Sequence, residues 1–88
     1  MSVDKIRQAL QRRPGPQDFR EQLFWLVDMI YACKAAQDAR LVERARLLED
    51  ALGSLGDFLE TGDSAALEQT HTNLEEFARF IQTASHTA

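Results

Sequence analysis

Eighty-eight residues with a formal net charge of −4 and 44% hydrophobic side chains suffice for one domain with a single core, and a chain this small gains by burying further apolar surface against a second chain. The one cysteine, Cys33, leaves no internal disulfide and no cysteine-built zinc site. The longest apolar run, residues 23–31, is interrupted by Asp28 and falls short of the about 20 apolar residues of a membrane span; with no apolar signal block at the start, the expected setting is the cytoplasm, with no membrane partner.

The charge is unevenly placed. Residues 1–20 carry Lys5, Arg7, Arg12, Arg13 and Arg20 against Asp4 and Asp18, which leaves −7 on the remainder. Such a basic arm has two readings. It folds back on its own acidic body, or it meets nucleic-acid phosphates, a reading weakened by the repulsion from the acidic remainder.

The first predicted helix covers about residues 3–13, with Val3, Ile6 and Leu10 on one face and Ser2 or Asp4 as its cap. Pro14-Gly15-Pro16 ends it, because proline has no amide hydrogen to give. A second helix, about 17–37, starts just after Pro16, where Asp18 and Glu21 suit the positive end of the helix dipole. Leu23, Val27 and Ile30 form its stripe, and Phe24, Trp25, Leu26, Met29, Tyr31 and Cys33 widen it. That is well beyond the about 100° of an ordinary surface helix, so two sides must be covered, by the first helix or by another chain. The heptad phase continues toward Leu59, but Lys34 and Gln37 fall at successive seam positions and Asp38 offers a new cap, which predicts a break between about 36 and 40.

The third helix, about 39–60, repeats Leu41, Ala45, Leu48, Leu52, Leu55 and Leu59, with Gly53 and Gly56 inside it. Each glycine costs a helix interior roughly 1 kcal/mol, so the pair marks close approach of a neighbour or a loosened turn. Thr61-Gly62-Asp63-Ser64 stops one helix and caps the next, which makes an antiparallel hairpin. The fourth helix, about 64–83, turns Leu67, Thr70, Leu74, Phe77 and Ile81 inward and leaves a frayed tail over 84–88. The fold class is therefore all-α, a small three- to four-helix bundle with a C-terminal helical hairpin.

Three segments, "MIYACKAA" (29–36), "ERARLLEDALGSLGDFLETGD" (43–63) and "SAALEQTHTNLEEFARFI" (64–81), together resemble the C-terminal helical lid of the seventy-kilodalton heat-shock chaperone family. That resemblance implies a three-helix packing and a surface used beside a chaperone's client site. The family's nucleotide-binding domain and peptide-gripping β-sandwich have no counterpart in these residues.

Chemistry-bearing groups are sparse. His71 shares a helix face with Glu68 and Glu75, a trio that reads as a solvated face more readily than as metal ligands, and His86 sits in the tail. Cys33 has no histidine or basic cluster with it except the adjacent Lys34, which points about 100° away around the helix, and it reads as core filler. Gly53, Gly56 and Gly62 lack the spacing and the lysine of a phosphate loop. No catalytic residue, cofactor or metal is expected. What remains is the apolar surplus of Phe24, Trp25, Leu26, Met29 and Tyr31, which is either a core of large side chains or a partner-binding face, aromatic and methionine residues being enriched at interfaces. The expected function is a protein-protein interaction module, an adaptor, inhibitor or chaperone-associated helper, with a homodimer as one form. The alternative is a nucleic-acid-associated regulator acting through Arg7, Arg12, Arg13 and Arg20.

Overall fold

The computed structural model describes residues 2–84, and the side chains of 4–83. Among them are four helices and no strand: α1 (Ser2–Gln11), α2 (Phe19–Ala35), α3 (Ala39–Thr61) and α4 (Ser64–Ala84). The protein is an all-α bundle, 41 Å long and 20 Å across. The expected fraying of the tail lies outside the described residues for 85–88. α3 lies between α2 and α4, and α1 closes the ring by touching α2 and α4, so α1 faces α3 across the core. Each helix runs antiparallel to the one before it.

The turns explain that order. Asp4 lies in the first turn of α1 and pairs with Arg7 at 2.8 Å rather than capping it, since the helix already begins at Ser2. After α1, the amide of Asp18 donates to the Gly15 carbonyl at 3.1 Å. That turn uses up Pro16 and Gln17, so α2 begins at Phe19, two residues later than the sequence suggests. Gln22, buried in α2, donates its Nε2 to the same Gly15 carbonyl at 2.8 Å, while its Oε1 is buried without a partner. Between α2 and α3 the chain turns through Gln37, whose φ of 56° is left-handed. This is the conformation for which glycine is normally chosen. Asp38 then caps α3, its Oδ1 accepting from the Arg40 amide at 2.9 Å. At the far end Gly62 takes φ 75° and donates to the Phe58 carbonyl, and Asp63 accepts from the Ala65 amide at 3.0 Å to start α4.

Packing corrects two of the stripes. On α2 the buried line is Gln22, Leu26, Met29, Ile30 and Cys33, while Leu23 is only partly buried and Val27 is 36% exposed. The stripe is therefore rotated by one residue, about 100°, because the core lies toward α1 as well as α3. On α3 the buried line is Leu41, Ala45, Leu48, Ala51 and Leu55. Ala51 enters because α4 walls that side, its backbone carbonyl lying 3.5 Å from the Thr70 hydroxyl. Leu52 is left at the α2 edge, half-buried, and Leu59 is 45% exposed beyond the start of α2. Thr70, Leu74, Phe77 and Ile81 of α4 are buried with Ile6 of α1.

Two measurements follow. A Cβ added at Gly53 or Gly56 meets no atom within 4 Å, so Gly53→Ala and Gly56→Ala each stabilise the single chain by about 0.5–1 kcal/mol in urea titrations. The Arg40 amide, and then its guanidinium, hold the Asp38 carboxyl below its ordinary 3.8. A lowered folded pKa supplies stability that is complete above the unfolded value and lost as pH falls through the folded one. Asp38→Asn therefore melts below the parent chain at neutral pH, and the gap closes as pH drops below 3.8.

Candidate functional site

The geometry of α2 divides the five residues expected to meet a partner. Leu26 and Met29 are 0% and 1% exposed and belong to the core, which corrects the expectation that they face a partner. Trp25 is partly buried on the side toward α1, and its Nε1 donates to the Ala9 carbonyl at 2.9 Å. It thereby tethers α1, in the amphipathic manner of indoles that bury the ring and bond the N–H. Phe24 and Tyr31 point the other way, at 63% and 70% exposed. With Val27 they stand at i, i+3 and i+7, one face of a helix.

Beside that face α3 contributes a shallow floor. A groove of about 530 Å³ runs between the two helices, lined by Val27, Ile30, Tyr31 and Lys34 on one side and Glu49, Leu52 and Gly53 on the other. Lys34 Nζ reaches Glu49 Oε2 at 3.5 Å across its end, both side chains about half exposed. Beyond the groove, at the start of α2, Phe19 packs edge-on against Phe58 of α3, their ring centroids 5.0 Å apart at 62°. Gly53 keeps the floor low. A side chain there would narrow the groove without meeting any neighbour.

Val27, Lys34, Glu49, Leu52 and Gly53 were not among the residues expected here. Val27 was hidden by its in-phase spacing with Leu23 and Ile30, which assigned it to the core. One signal was present: the same phase continues into Lys34 and Gln37, so that stripe leads out to solvent, whereas the line through Gln22, Leu26, Met29 and Cys33 does not.

Cys33, Arg13 and Arg7 are turned inward or to partners within the chain. Cys33 is fully buried, and burial pushes its thiol up to about 11, away from the thiolate that reacts. Arg13 Nη2 lies 3.4 Å from His71 Nδ1; a guanidinium only donates, so that ring nitrogen accepts. The contact pins the end of α1 to α4. With Arg7 paired to Asp4, two of the four arginines of the basic arm are turned to internal partners. Among the described residues no three His, Cys, Asp or Glu side chains are grouped to hold a metal, and no helix is long and apolar enough to cross a membrane. His86 lies outside the described residues. No family model matches the chain, and neither a curated protein nor a solved structure matches it.

The division of α2 makes a direct contrast. Leu26→Ala costs about 2–5 kcal/mol of stability, the range for emptying a packed leucine site. Phe24→Ser and Tyr31→Ser each change the stability of the single chain at high dilution by no more than about 0.5 kcal/mol, as surface substitutions do. Chemical denaturation of the three variants checks both values.

Proposed function

We propose that this chain is a non-catalytic interaction module that binds another protein through the α2–α3 face. The observation that carries the reading is the placement of Phe24 and Tyr31, 63% and 70% exposed, while the core is filled without them. Scattered apolar side chains on a surface need no explanation, but two aromatics on one helix face beside an apolar groove form a patch. Such side chains bring large contact area and dominate binding where they are buried by a partner. An adaptor, an inhibitor or a chaperone-associated helper all fit, and the resemblance of residues 29–81 to a chaperone lid belongs to the same proposal. The reduced, buried thiol of Cys33 suits the cytoplasm.

Photo-cross-linking tests this. A photoreactive side chain in place of Val27 yields a discrete adduct with a protein, and one in place of exposed Glu76 on α4 does not. Phe24→Ser with Tyr31→Ser abolishes the Val27 adduct while the helical signal persists. Equal labelling from both positions, or an adduct indifferent to the two aromatics, removes the reading.

A further inference from the structure

We propose that the α2–α3 face binds a second copy of this chain, packed about a two-fold axis parallel to the helices, so that α2 of each copy lies on α3 of the other. This rests on the interaction-module reading above and names its partner.

The argument starts from the unlike composition of the two helices. α2 presents Arg20, Phe24, Val27, Tyr31 and Lys34, all exposed, at intervals of four, three, four and three residues, which is one continuous helix face. Its bulk is aromatic and its two ends are positive. α3 between Glu49 and Glu60 has no basic residue and carries Glu49, Asp50, Asp57 and Glu60. In its middle are Gly53 and Gly56, with open space where a Cβ would stand. Over this stretch the α2 face thus supplies knobs and positive charge, and the α3 face a low floor and negative charge, with Arg46 one turn beyond Glu49.

The register then decides how two such faces meet. Within one chain Lys34 lies beside Glu49, Val27 and Tyr31 border Leu52 and Gly53, and Phe19 meets Phe58. Continuing that antiparallel pairing sets Phe24 level with Gly56 and Arg20 level with Glu60. A two-fold axis along the helices keeps each height and exchanges α2 for α3. Lys34 then meets the partner's Glu49, Arg20 meets the partner's Glu60, and Phe24 and Val27 lie over the partner's Gly56 and the partner's Gly53. The other face-to-face two-fold, perpendicular to the helices, stacks α2 on α2 and sets Arg20 near the partner's Lys34 and Glu49 near the partner's Glu60. Like charges so placed oppose association. Self-complementarity of this kind is what an isologous interface requires, and an unrelated partner would not require it. The face is about 25 Å long and about 20 Å wide for two packed helices, roughly 500 Å² in plan and more with its relief, against the roughly 800 Å² per partner of a standard interface.

Sedimentation velocity and light scattering on the full chain, from micromolar to high-micromolar concentration, give the first readout: a concentration-dependent dimer is expected. Lys34→Glu and Glu49→Lys each place two like-charge contacts in the homodimer and weaken it on the order of tenfold. Mixing the two variants restores affinity, because the heterodimer regains both opposite-charge contacts. Phe24→Ser and Tyr31→Ser each weaken the dimer by about thirtyfold or more. Circular dichroism verifies the fold of every variant, and Arg20→Glu with Glu60→Lys serves as a second exchange pair if the first fails to fold. A chain that stays monomeric throughout overturns the proposal, as does a mixture with no preference for the heterodimer or a dimer untouched by the loss of Phe24 and Tyr31. If self-association fails while the cross-linker at Val27 still captures a different protein, the module reading stands and only the second copy is removed; if both fail, both are gone.

Discussion

Ile6 sits at 1% exposure on a helix of ten residues, and it closes the fourth side of a core whose other walls are helices of 17, 23 and 21 residues. At 1.5 Å per residue α1 is only about 15 Å long, so it covers part of the bundle and no more. Its seat is fixed at several points: Trp25 bonds the Ala9 carbonyl, Arg13 reaches His71, and Gln22 bonds the Gly15 carbonyl of the turn that follows. Where α1 rests decides which side of α2 is inside. Leu26, Met29 and Cys33 are interior because α1 and α3 flank them, and Phe24 and Tyr31 are exterior because nothing does.

From this follows a helix with two apolar faces of different use. The inner one is close-packed and its removal is paid for in folding; the outer one contributes little to folding and is free to meet another surface. A helix apolar around so much of its circumference needs cover on two sides, and the single chain leaves the Phe24, Val27 and Tyr31 side open. That open side borders the groove between α2 and α3, and the functional reading rests on it.

The two short turns set the register on which the groove depends. Gln37 and Gly62, both left-handed, reverse the chain within two or three residues of each helix end. So tight a reversal leaves neighbouring helices antiparallel with little freedom to slide, and that brings Lys34 to Glu49 and Phe19 to Phe58. Gln37 adopts this conformation without the advantage of glycine, which implies that the packing on either side holds the turn. The caps at Asp38 and Asp63 satisfy the helix starts that such a turn exposes.

Local signals were legible without coordinates. The stop at Pro14-Gly15-Pro16, the caps at Asp38 and Asp63, the left-handed Gly62 and the inward stripe of α4 are each written within a few neighbouring residues, because backbone hydrogen bonding and turn geometry act over that distance. The all-α class followed from them. The inward side of α2 was not legible in that way. Its apolar residues surround the helix, so the one signal against the Val27 line, its continuation into Lys34 and Gln37, was outweighed, and a polar Gln22 at the head of the true line disguised it. That choice belongs to the position of α1, a contact between segments sixteen residues apart, such as Ala9 and Trp25. Spacing along the chain sets which residues share a face, but only the arrangement of all four helices determines which face is left uncovered.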